Sequence, residues 1–151
     1  MLLSTLTELF VRDLEKLKAE IQQYRDENAL WVTGGEIANS AGNLCLHLVG
    51  NLNHFIGATL GQTGYVRERD LEFSLKNVPR QELLDAVDKT IAVVQTSLEK
   101  WKDADLYERF PLEKHGQVVT TGYMLLHLQT HLNYHLGQIN YHRRLLDEAD
   151  F

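Results

Sequence analysis

The residues of this chain best suited to chemistry are its histidines. His131 and His135 stand four apart in the segment HLNYHLGQ. Residues four apart on an α-helix share one face, with Cβ atoms about 5–6 Å apart, so both rings can grip one metal ion. A third, His47, lies in a second apolar helical segment. Three neutral imidazoles with a coordination position left open make a catalytic type of metal site, whereas structural zinc is normally enclosed by four ligands and rich in cysteine. The spacing by itself is a weak signal, because a lone histidine on an apolar helix face is ordinarily a hydrogen-bonded core residue.

The surrounding pattern strengthens it. Wound at about 100° per residue, the last helical segment puts Leu125, Leu128, Leu132, Leu136 and Ile139 on one stripe and His127, His131, His135, Gln138 and His142 on its neighbour. The second segment repeats the arrangement, with Leu44, Leu48, Leu52 and Phe55 beside His47, Asn51 and His54. Six of the seven histidines therefore lie on two stripes. Packed side by side, these stripes meet in the interior, where imidazoles must be hydrogen-bonded or metal-bound to offset desolvation. His127 can replace either ligand of the pair and His54 can replace His47; otherwise they line the cavity. His142 reads as a surface or helix-terminal residue. Cys45 points about 200° away from His47 around the helix and reads as an inert buried thiol.

The elements that must position these residues follow from apolar periodicity. Leu3, Leu6, Phe10, Leu14, Leu17, Ile21 and Tyr24 predict an amphipathic helix over about residues 2–28, with Asp13, Glu15, Lys16, Lys18 and Glu20 on its wet face. A second helix is predicted over about 40–60, ended by Gly61 to Gly64. The charged run RERDLEF, between Tyr65 and Val78, reads as an ordered loop or short helical turn. Pro79 suits the first turn of a third helix, which Leu84, Val87, Ile91, Val94, Leu98 and Trp101 carry to about Lys102. LYERF and the VVT run permit a short β-hairpin between helices 3 and 4. Thr120 or Thr121 then caps a fourth helix ending near Leu146. The fold class is all-α, a four-helix bundle, in a single domain over 1–151.

Composition sets limits on function. A net charge of −6 without a basic cluster argues against nucleic acid, whose binding rests on Lys and Arg neutralising phosphates. No apolar run approaches the roughly 20 residues that span a membrane, and the start MLLSTLTELFVRDLEKLK lacks the pattern of a signal peptide, so a cytoplasmic protein is expected. With Cys45 the single cysteine, an intramolecular disulfide and a Cys-rich zinc ribbon are excluded, and any metal must be held by His and oxygen. Leu132, Asn133 and Tyr134 stand between the paired histidines, so the HExxH motif of zinc peptidases is absent.

The segments NSAGNLCLHLVGNLNHF and LLHLQTHLNYHLGQINYHRR resemble those of the DinB/YfiT-like metalloenzyme superfamily of bacterial four-helix bundles. The helix order extends the likeness over nearly the whole chain, and the Gly137-Gln138 pair is also typical. The resemblance implies a metal triad of His47, His131 and His135 holding a divalent ion, zinc or nickel before manganese or iron, and a homodimer formed through helices. It also implies activities such as transfer to a low-molecular-weight thiol from a small electrophilic substrate, or isomerisation of maleylpyruvate. The RERDLEF loop departs from that pattern and leaves the thiol open.

The expected mechanism is Lewis-acid activation of a water or thiol. The catalytic candidates are His127, His54, Gln138 and Asn51. Asn51, Gln138 and Tyr134 are candidates for hydrogen bonds to ligands or substrate, Tyr134 fitting exposed surface better. Neither histidine stripe carries an acidic residue, so a general base must be His127, His54 or the metal-activated nucleophile itself. A non-catalytic dimeric bundle is the competing expectation, motivated by apolar surface on the second helix at Cys45, Val49, Ile56 and Leu60.

Overall fold

A computed structural model describes residues 1–147, and among them the regular structure is helical, with no β-strand. Helix α1, Leu2–Gln23, buries Leu3, Leu6, Phe10, Leu14, Leu17 and Ile21. It stops at Tyr24, where the backbone turns extended, rather than running to residue 28. A 3-10 turn, Glu27–Trp31, follows, begun by the Asp26 side chain accepting from the Asn28 N–H. Helix α2, Ala41–Leu52, starts at Ser40, whose hydroxyl accepts from the Asn43 N–H, the usual way of satisfying a free donor at a helix start. It continues as a π-helical segment, Asn53–Ala58, and a last turn, α3, Thr59–Gly61, which Gln62 ends in the left-handed region.

The charged run becomes a short helix, α4, Arg69–Ser74. Helix α5, Arg80–Leu98, begins after Pro79. Helix α6, Thr121–Leu146, is capped by the Thr120 hydroxyl, which accepts from the Tyr123 N–H at 3.1 Å. Between α5 and α6 lies a 3-10 turn, Asp103–Tyr107. The hairpin expected there is reduced to two isolated antiparallel bridges, Arg109 with Thr120 and Lys114 with Gln117. Too few residues pair for a strand to form.

Helix α1 packs against α5 and α6, and α2 packs against α4, α5 and α6. The shared core contains Phe10, Leu14, Leu48, Leu52, Val87, Val94, Leu128 and Leu132, each worth about 1.5–3 kcal/mol when removed from water. No helix of the described residues is long and apolar enough to cross a membrane.

Packing changes three expectations. Asp13 does not sit on the wet face of α1: it is fully buried against α6, accepting from Gln129 Nε2 at 2.7 Å, Asn133 Nδ2 at 3.1 Å and Arg12 Nε at 2.8 Å. Two neighbouring helices widen the covered arc of α1 beyond its apolar stripe. His142 is likewise buried, accepting from the Tyr24 hydroxyl at Nδ1 and donating from Nε2 to the Val32 carbonyl, both at 2.7 Å. Finally, Cys45, Ile56 and Leu60 are buried and Val49 packs against the core, so the apolar excess of α2 is covered within the chain itself. The exposed apolar face lies elsewhere, on α6, at Tyr123, Leu126, Tyr134, Tyr141 and Leu145.

Candidate metal centre

His47, His131 and His135 converge although 84 residues separate the first two. Helix α6 presents its pair from successive turns, with ring centroids 4.6 Å apart, and α2, packed alongside, brings in His47 at 5.1 Å from His131 and 5.4 Å from His135. One nitrogen from each ring lies within 4.8 Å of the others. His47 Nε2 and His131 Nε2 stand 3.2 Å apart. Tetrahedral zinc with bonds of about 2.0–2.1 Å separates two ligand nitrogens by about 3.3 Å, so these two nitrogens already have the spacing of ligands to one ion.

The protons support the same fit. A carboxylate only accepts, so His47 donates from Nδ1 to Glu72 Oε1 at 3.0 Å and leaves a lone pair on Nε2. His135 donates from Nδ1 to Gln138 Oε1 at 2.7 Å, again leaving Nε2 free. His131 Nδ1 is buried without a hydrogen-bond partner among the described residues. If His131 donates from Nε2 to His47, its Nδ1 is an orphaned acceptor; if Nδ1 carries the proton, two lone pairs face each other across 3.2 Å. A cation between the nitrogens removes that repulsion. Burial, with His135 and His47 adding to it, pushes the His131 imidazolium down to about 3. Burial also lowers His47, against an opposing pull from Glu72. Both rings are therefore neutral near pH 7, the form that ligates metal.

Glu72 and Arg67 are the site residues that the histidine stripes did not reveal. Neither histidine stripe carries an acidic residue, but α4 lies across α2 and delivers Glu72, itself 6% exposed, to His47 from outside them. Arg67 then closes on that carboxylate, with Nε 2.8 Å from Oε2 and Nη2 2.8 Å from Oε1. The density of charge in RERDLEF was the one signal available, and it did not say which charge would turn inward.

The remaining candidates divide. Gln138 holds His135 and also lines a cleft of about 390 Å³ with Asn39, Leu44 and Tyr141 among its walls. Asn51 is buried one turn beyond His47 and its Oδ1 has no partner among the described residues. His127 stacks a turn before His131 at 6.3 Å between ring centroids, outside the group of three; burial, Lys114 and His115 lower its basicity. His54 falls in the π-helical segment against Phe55 and is lowered by burial and Arg67, so it adjoins the arginine and is not one of the three. Tyr134 is exposed. Cys45 is buried and free, its thiol pushed up to about 12 by burial, which makes it inert.

Residues 2–151 match the model of a family described as a protein of unknown function, DUF1572. The chain belongs to this family. No curated protein matches it. Three histidines placed as they are in this DUF1572 member can hold a metal ion.

Proposed function

We propose that this chain is a DinB/YfiT-like four-helix bundle that holds one divalent metal ion on His47, His131 and His135 and uses it in a reaction of a small electrophilic substrate, with a thiol or water as nucleophile. The observation that carries the reading is the pair of Nε2 atoms 3.2 Å apart, with the Nδ1 atoms of His47 and His135 already engaged by Glu72 and Gln138. When bound, the ion supplies Lewis acidity, which makes water or a thiol nucleophilic near neutral pH. Zinc or nickel suits three imidazoles, with manganese or iron(II) as further options.

The chain's own residues do the rest. Glu72 and Gln138 aim two of the ligand rings, the role that carboxylates and amides commonly play around a metal. The buried Asn51 Oδ1, without a partner among the described residues, accepts a hydrogen bond from substrate or nucleophile. His127, neutral at pH 7 because its basicity is lowered, is placed to accept a proton at the rim. An apolar wall from Phe73, whose ring centroid lies 5.0 Å from that of His47, limits water.

A homodimer belongs to this reading, formed through the exposed face of α6, where Tyr123, Tyr134 and Tyr141 are 55%, 66% and 61% exposed. The same face also suits a non-catalytic dimer. The deciding experiment is metal content by plasma mass spectrometry on tag-free protein, comparing the native chain with His131→Ala. About one equivalent in the native chain, lost in the variant, supports the site. Thiol-transfer and hydrolysis substrates then test the activity. Absence of metal after incubation with zinc, nickel, manganese and iron(II) refutes it and favours the dimeric, non-catalytic bundle.

A further inference from the structure

We propose that Gly50, Glu72 and Arg67 form a positioning device for His47, which fixes the ring with its proton on Nδ1 and its Nε2 lone pair turned to the metal centre; the inference rests on the metal reading above. Glu72 Oε1 accepts from His47 Nδ1 at 3.0 Å, and Arg67 braces both oxygens of the same carboxylate at 2.8 Å. The brace leaves the carboxylate little freedom to rotate and offsets its charge, so Oε1 stays aimed at His47 Nδ1.

Gly50 is what admits the carboxylate. It lies one turn beyond Leu46 and three residues after His47 on α2, where a Cβ would overlap Glu72 Oε2 and stand 2.6 Å from Glu72 Cδ. Gly50 sits mid-helix, where glycine is intrinsically unfavourable by roughly 0.5–1 kcal/mol relative to alanine. Its value lies in the notch it leaves on the face that α4 crosses. The strap is held independently of the carboxylate: Asn43 Nδ2 donates to the Glu72 and Leu75 carbonyls, both at 2.9 Å, and Ser40 Oγ donates to Asn43 Oδ1 at 2.7 Å. Changing the Glu72 side chain therefore leaves α4 docked. An added methyl at Gly50 meets the far end of a flexible side chain, which can swing away while the helix persists.

The test is the tautomer of His47, read by nitrogen NMR of the metal-free, histidine-labelled full chain, alongside zinc affinity by competition with a chromophoric chelator. The native chain should carry the His47 proton on Nδ1. Glu72→Ala and Gly50→Ala should lose that preference and bind zinc about 10–100-fold more weakly. Glu72→Gln, whose amide oxygen still accepts, should keep the tautomer and recover most of the affinity. Glu68→Ala, an exposed acid on the same segment, should change neither. Should Gly50→Ala not fold, the two Glu72 variants carry the test. A native His47 with its proton on Nε2, or a Glu72→Ala chain with native tautomer and zinc affinity, overturns the proposal. Native protein that shows the Nδ1 proton yet binds none of zinc, nickel, manganese and iron(II) supports the device and overturns the metal reading, whereas zinc binding with the His47 proton on Nε2 does the reverse.

Discussion

Replacing His131 by leucine should make the metal-free protein more resistant to acid. In the folded chain the His131 imidazolium is pushed down to about 3 from an ordinary 6.5, first by burial and then by His135 and His47. The unfolded chain thus takes up a proton that the folded chain refuses at every pH between those values. Stability is full above pH 6.5 and falls as pH drops below it, because the state that binds more protons is favoured by acid. At pH 5 the gap from 6.5 corresponds to about 2 kcal/mol at roughly 1.4 kcal/mol per pH unit. Since the ring is only partly enclosed, solvent screening reduces this to about 1 kcal/mol. Leucine fills a similar volume without a titrating group.

The assay is urea unfolding in the presence of chelator at pH 7.5 and pH 5.0. With a slope of about 1–3 kcal/mol per molar urea, the native midpoint should fall by about 0.3–1 M more than that of the variant. His47, His54, His127 and His142 are also lowered by burial, so both proteins lose stability in acid and the difference between them isolates His131. Equal losses in the two proteins would show that His131 titrates as an ordinary surface histidine and is not enclosed by its neighbours.

Metal binding should raise the unfolding temperature: ligand at a hundred times its dissociation constant adds about 2.7 kcal/mol, or about 5–11 °C at 2–4 °C per kcal/mol for a chain of this size, and calorimetry of His135→Ala should show no such rise. Asp13→Ala should cost about 2–4 kcal/mol in a denaturant titration, since it strands the buried Gln129 amide, whose Oε1 already lacks a partner among the described residues; a cost below about 0.5 kcal/mol would contradict the buried network. Tyr24→Phe should cost about 1–2 kcal/mol by removing the donor to His142 Nδ1, and the cost should vanish when measured in a His142→Phe background.

The sequence by itself determined what depends on neighbours a few residues apart. The period of Leu3 to Ile21 fixed α1, Ser40 and Thr120 marked the starts of α2 and α6, Pro79 the start of α5, and the four-residue spacing of His131 and His135 put them on one face. These features follow from helix geometry, which every turn repeats. That His47 belonged with them was also legible, because two helices each carried a polar stripe beside an apolar one.

Tertiary packing alone decided which charged and polar groups were enclosed. Asp13 and His142 read as surface residues because local periodicity counts apolar side chains, yet a helix between two neighbours buries a wider arc than its apolar stripe, including groups whose partners come from another helix. Glu72 reaches His47 across 25 residues of sequence, and nothing within the RERDLEF segment distinguishes Glu72 from Glu68. The direction in which α4 crosses α2, and the notch left by Gly50 where it crosses, choose between them.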